Sequence, residues 1–212
     1  MKKAVNSYRK LEDEKSGEPL PQSGESKNAG RETAPHFFAD RRRSMGKFKF
    51  CHISDKYIAY LHSIDNRVQL NKGEHRPYVG IVLKVQGADY YVPLESPKPN
   101  HAKIKNGGPV LKMDDGKLGI MGFNNMIPVG KDCLLDFEIR EVADEKYRML
   151  LYNQVRYCEK HWDLILRRAE TVYRKAVERN VPLYSRVCCD FKKLERKSKN
   201  YDPAYRPKKK IK

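Results

Sequence analysis

Ser96 and Lys98 stand two residues apart in the stretch Tyr-Val-Pro-Leu-Glu-Ser-Pro-Lys-Pro, and His101, Lys103 and Lys105 follow at once. An apolar run ends there and a set of polar groups begins. Pro93, Pro97 and Pro99 restrict the backbone, so these side chains lose less entropy on being positioned. In extended structure residues i and i+2 face the same side. A hydroxyl beside an ammonium suits a phosphate: the lysine neutralises one phosphoryl oxygen and the serine donates to another. RNA can be cut with a few such parts. A base takes the 2′-hydroxyl proton, the freed oxygen attacks the adjacent phosphate, a cation stabilises the phosphorane, and an acid protonates the departing 5′ oxygen. The sequence shows no acidic cluster with two-metal spacing, which disfavours metal-assisted phosphodiester chemistry. A surface loop on a basic protein could carry the same Ser-Pro-Lys tripeptide, so these residues alone leave both readings open.

The surrounding pattern predicts the elements that would hold these groups. Phe48 to Ile53 reads as a first strand. Ser54-Asp55-Lys56 offers a helix N-cap, and Tyr57, Ile58, Leu61 and Ile64 follow at helical spacing for about ten residues. Residues 78–85 and 89–94, rich in Val, Ile and Tyr, flank Gly87-Ala88 as a hairpin that delivers its second strand to Ser96. Short segments follow at 117–123 and 125–129, and 134–139 reads as a strand or a helix start. From Tyr147 to Ala176 apolar residues keep a period of 3.6, as one long helix or a kinked pair closed near Asn180. Trp162 lies on that stripe and is expected to be buried. Pro182 suits the first turn of a further helix reaching about Lys197. The fold expected is α+β: a compact, strongly curved antiparallel β-sheet or barrel with a long C-terminal helical region.

Charge narrows the partner. The 212 residues hold 44 Lys and Arg against 27 Asp and Glu, a formal net charge of +17. Such an excess points to a polyanion, nucleic acid or an anionic membrane. Apolar runs such as 78–83 fall far short of the roughly 20 residues that span a bilayer, and no apolar segment follows the charged first residues. Nucleic acid therefore leads, no membrane partner is expected, and the location expected is cytoplasmic. The five cysteines, Cys51, Cys133, Cys158, Cys188 and Cys189, lack metal-ligand spacing and read as reduced core thiols. No metal or cofactor is expected. Residues 1–44 are polar and poor in aliphatics, which predicts a disordered extension. Residues 45–198 form the expected single domain, and 199–212 a basic flexible tail.

Several segments together resemble the ToxN/AbiQ family, the endoribonuclease toxins of type III toxin–antitoxin systems. They are Lys49-Phe50-Cys51-His52-Ile53-Ser54-Asp55-Lys56-Tyr57-Ile58-Ala59-Tyr60-Leu61, then Arg76-Pro77-Tyr78-Val79-Gly80-Ile81-Val82-Leu83, then Tyr91 to Lys98 with His101, Asn125 to Val129, and the helix start at Tyr147-Arg148-Met149-Leu150. The resemblance implies a curved sheet of the MazF/Kid type. It implies metal-independent cleavage of adenine-rich RNA that leaves a 2′,3′-cyclic phosphate. It implies inhibition by a small repeat-derived pseudoknot RNA, which the toxin cuts from its precursor, in closed head-to-tail assemblies, and a part in defence against phages. Site residues carry over at Tyr57, Arg76, Ser96 and Lys98. Lys98 and Arg76 would bind phosphate, Ser96 would orient the 2′-hydroxyl or stabilise the phosphorane, and Tyr57 would stack on a base or donate a proton. Glu95 departs from the family, where many members have Thr, and its carboxylate would repel a phosphate unless it points away or serves as a base. The RNA surface expected comprises Lys56, Tyr78, Glu95, His101, Lys103, Lys105, Lys117, Lys192 and Lys193. A non-catalytic RNA-binding or ribosome-associated basic protein is the alternative.

Overall fold

The structure, a computed structural model, describes residues 48–71 and 76–204. The extension expected at 1–44 and most of the tail, 205–212, lie outside the described residues. Seven strands form one antiparallel sheet: β1 (Lys49–Ile53), β2 (Tyr78–Val85), β3 (Ala88–Glu95), β4 (Val110–Lys112), β5 (Ile120–Gly122), β6 (Ile127–Pro128) and β7 (Leu134–Leu135). Their order is β4-β5-β3-β2-β1-β7, with β6 pairing β3 as well. Among the described residues the sheet is open, with β4 and β7 at its ends; of the curved sheet or barrel expected from sequence, the structure shows the sheet and no closure.

The β2–β3 hairpin turns at Gln86 and Gly87, both with positive φ, 49° and 80°. That sign at two central turn residues matches the twist of paired strands. β3 lies inside the sheet. One of its edges pairs with β2; the other pairs with β6 through Tyr90 and Tyr91 and with β5 through Leu94 and Glu95. The strand that leads to Ser96 is therefore held on both sides as far as Leu94, and by β5 at Glu95.

Helix α1 (Asp55–Ile64) follows β1 and buries Tyr57, Ile58 and Leu61 against the sheet core. Ser54 occupies its N-cap, although the serine side chain makes no capping hydrogen bond. The long apolar stripe is two helices, α2 (Glu145–Lys160) and α3 (Trp162–Val177), which meet at His161. Trp162 is only partly buried; its ring packs 5.2 Å from that of Phe48. The single helix expected after Pro182 is also two, α4 (Pro182–Val187) and α5 (Phe191–Ser198). The break has a physical cause. The amides of Cys189 and Asp190 donate to Asn124 O and Asp65 Oδ2, outside any helix, and the Asp190 carboxylate then caps α5 by accepting from Lys193 N. All five cysteines are buried and unbridged, and burial pushes the Cys158 and Cys188 thiols up to about 12. Tyr201, placed by sequence in the flexible tail, packs its ring 4.8 Å from Tyr57 and 5.1 Å from Tyr60.

Candidate active site at the end of strand β3

Beyond Glu95 the chain leaves the sheet through Ser96, Pro97 and an extended Lys98, then winds a 3-10 turn over Pro99–Lys103. Pro99 opens the turn, and His101 N closes on Lys98 O at 2.9 Å. His101 is thereby turned inward and is 5% exposed, whereas Ser96, Lys98, Lys103 and Lys105 are exposed.

Glu95 is the centre of this region. Its Oε2 accepts from Lys98 Nζ at 2.6 Å and lies 3.8 Å from His101 Nε2. Its Oε1 lies 3.9 Å from Arg76 Nη1. Arg76 enters across the hairpin: Tyr78 pairs with Pro93 and Leu94 N donates to Pro77 O, so the preceding residue comes opposite Glu95. The guanidinium also donates to Gln69 Oε1 and to Leu70 O. Burial alone would raise the Glu95 pKa, but the hydrogen bond and charge of Lys98, with Arg76 and His101, hold it below the usual carboxylate value. Burial, outweighing the pull of Glu95, holds the His101 imidazole below its usual value. The ring is therefore neutral at pH 7.

The structure thus unites four of the expected residues, Arg76, Glu95, Lys98 and His101, and sets Ser96 beside them in the chain. The Ser96 hydroxyl makes no hydrogen bond among the described residues. Lys98, expected to share a phosphate with Ser96, here donates to Glu95. Sequence reasoning treated Glu95 as a departure and missed its role as the anion that gathers the cations.

Two expected site residues, Tyr57 and Tyr78, are buried in the core. Tyr57 is 1% exposed, its hydroxyl donates to Pro128 O at 2.6 Å, and burial pushes its pKa well above the ordinary tyrosine value. It joins α1 to β6 and offers no free face for a base. Tyr78 is likewise buried, with its hydroxyl on Asn71 Oδ1 at 3.0 Å and its pKa raised by burial; it is core, not a stacking platform. Lys192 donates to buried Glu195 at 3.1 Å, and that carboxylate also accepts from Tyr90 and Tyr173. Lys193 Nζ donates to Ile64 O at 3.0 Å, closing the end of α1. Both lysines remain exposed, as do Lys56 and Lys117; Lys117 lies 3.9 Å from Asp114.

The backbone under the site is fixed by one glycine. Gly119, just before β5, has φ +93°, and a Cβ placed on it would stand 1.9 Å from Glu95 O. Its neighbour Leu118 is held from α2, where buried Gln154 Nε2 donates to Leu118 O at 2.8 Å.

The family model for Toxin ToxN, type III toxin-antitoxin system, matches residues 49–199. The chain belongs to the ToxN family. It is 35% identical over 162 residues to Endoribonuclease ToxN of Bacillus thuringiensis subsp. kurstaki, covering 72% of this chain and 84% of that relative. It is 30% identical to Endoribonuclease AbiQ of Lactococcus lactis subsp. lactis, covering 72% of this chain and 88% of that relative. A solved structure from work on type III toxins inhibited by a non-coding RNA pseudoknot aligns with a TM-score of 0.66 at 35% identity, covering 73% of this chain and 98% of that one. The structure of AbiQ, a lactococcal anti-phage endoribonuclease, aligns with a TM-score of 0.64 at 30% identity, covering 74% and 98%. The endoribonuclease class and the type III toxin–antitoxin context expected from sequence are borne out at the level of the ToxN family. No helix among the described residues is long and apolar enough to cross a membrane.

Proposed function

We propose that this chain is an endoribonuclease toxin that cuts adenine-rich RNA by attack of a 2′-hydroxyl on the adjacent phosphate, leaving a 2′,3′-cyclic phosphate. One observation supports this most: Arg76, Lys98 and His101 converge at the end of β3, next to an exposed Ser96 hydroxyl, in a member of the ToxN family. Lys98 and Arg76 supply positive charge for the phosphorane. Ser96 donates to a phosphoryl oxygen or orients the 2′-hydroxyl. His101, neutral at pH 7, is the group nearest them suited to take or return a proton, a role worth about 10²–10⁴ in rate. Side chains carry the proton transfers in place of a metal-bound water.

The catalytic domain spans 45–198, and its curved sheet is kin to the MazF/Kid type in an opened form. The inhibitor is a small repeat-derived pseudoknot RNA, which the toxin cuts from its precursor and holds in a closed head-to-tail assembly. Exposed lysines, Lys56, Lys103, Lys105 and Lys117 among them, add affinity through counterion release. The enzyme acts on messenger RNA in the cytoplasm and takes part in stopping phage infection.

The test is direct. Purified protein incubated with adenine-rich RNA and excess chelator should yield fragments ending in a 2′,3′-cyclic phosphate. Ser96→Ala should bind the same RNA and cut it about 10²–10³-fold more slowly, the usual loss for one donor to a developing oxyanion. Intact RNA with the wild-type protein would leave the non-catalytic RNA-binding alternative standing.

A further inference from the structure

The Glu95 carboxylate occupies a place made for an anion. Lys98 and His101 attend one of its oxygens and Arg76 the other. A phosphodiester offers the same charge and a similar pair of oxygens. The cluster also has bonding capacity that the carboxylate does not saturate. Arg76 Nε and His101 Nδ1 are both buried without a hydrogen-bond partner among the described residues, and the His101 side chain is only 6% exposed. On its outer side the cluster opens to solvent, because the Lys98 side chain is 50% exposed and Ser96 is exposed.

We propose that Glu95 is a built-in competitor for the substrate phosphate. In the free protein it seats Arg76, Lys98 and His101 in a neutralised, ordered cluster. An RNA phosphate must displace it to gain those groups. A carboxylate left in place would repel the phosphate, and its hydrogen bond to Lys98 would keep that ammonium from the substrate. The displaced state is the binding-competent one, so apparent affinity is lowered by the fraction of protein in that state. The device also sharpens choice, since a strand whose phosphate falls outside the cluster receives no help in moving the carboxylate. The proposal rests on the RNA-cleaving reading of the same site.

The experiment measures binding of an adenine oligonucleotide lacking all 2′-hydroxyls, which no 2′-oxygen can cleave. If the displaced state is a minor one, Glu95→Gln should bind it about tenfold or more tightly than wild type. Glu95→Ala should show the same gain. Glu178→Gln removes an equal charge at the C-terminal end of α3, where that carboxylate pairs with Arg174 at 3.1 Å, and should gain far less. Lys98→Ala should weaken binding more in the Glu95→Gln background than in wild type, because only there is the ammonium free for phosphate from the start. A gain from Glu95→Gln no larger than that from Glu178→Gln overturns the proposal, as does an equal effect of Lys98→Ala in both backgrounds. Cleavage of the all-ribose oligonucleotide by wild type is scored separately. Its absence defeats the RNA-cleaving reading, whereas the binding comparison alone decides the role of Glu95.

Discussion

Two hydroxyls expected at one site stand in opposite surroundings. The Ser96 hydroxyl is exposed, and the Tyr57 hydroxyl is buried on the Pro128 carbonyl. A tyrosine whose pKa burial has raised, and whose proton is already donated inside the core, is a poor acid for a leaving oxygen. Tyr57→Phe should therefore cut RNA at close to the wild-type rate. Its cost should appear in stability, about 1–2 kcal/mol, because the Pro128 carbonyl is left buried without its donor. Denaturant unfolding read beside the cleavage rate separates the two roles. A hundredfold fall in rate with unchanged stability would return Tyr57 to the catalytic set. The identity of the residues near Ser96 was legible in the sequence because prolines restrict that segment locally. The state of Tyr57 was not, since a tyrosine on an amphipathic helix reads the same whether its hydroxyl meets solvent or a buried carbonyl.

Between elements, the site depends on how β2, β3 and β5 register. The hairpin was legible: alternating Val, Ile and Tyr flank a glycine turn, and both strands fall where expected. The pairing of Arg76 with Glu95 was hidden. Near the turn Val85 faces Ala88, and that register carried down the strand would set Arg76 opposite Pro97. An irregularity between Gly80 and Leu83 shifts the pairing, Tyr78 meets Pro93, and Arg76 comes opposite Glu95. The one sequence signal is Gly80, an isolated glycine in the strand pattern that marks a bulge without telling which way the register moves. The partner strand β5 matters as much, because Gly119 lets its backbone approach Glu95. Gly119→Ala combines a positive φ with a Cβ 1.9 Å from Glu95 O. Backbone strain of this kind costs about 1–3 kcal/mol on its own, and the clash adds to it by pushing β3 and β5 apart. The variant should unfold at lower denaturant and lose cleavage even where it remains folded. Full activity in a folded Gly119→Ala protein would show that the Glu95–Ser96 backbone has no fixed position to lose.

At the scale of the whole molecule, Asp65 joins the first helix to the last two. It closes the end of α1 and takes Arg67 through Nε at 2.9 Å and Nη2 at 2.8 Å. Arg67 in turn donates to Ser185 O on α4, and the Asp190 amide at the start of α5 donates to Asp65 Oδ2 at 2.7 Å. One carboxylate, with its side chain 5% exposed, thus fixes where α4 and α5 dock, and with them the basic face of α5. Burial would raise its pKa, but the hydrogen bonds from Arg67 and Asp190 and the charge of Arg67 hold it below the ordinary value. The sign of the pH effect follows. A carboxyl with a depressed folded pKa adds stability that is fully present above its unfolded value, about 3.9, and is lost as pH falls through the lower folded value. Asp65→Asn keeps the shape and removes the charge. At pH 7 it should cost about 1–3 kcal/mol, less than a fully buried pair because the Arg67 side chain is 35% exposed. The gap between wild type and variant should be the same at pH 7 and pH 5 and should close as pH falls below about 3.9. Denaturant unfolding at the three pH values checks this, and a gap that persists unchanged in acid would mean that the lost hydrogen-bond acceptor, and not the charge, accounts for the difference.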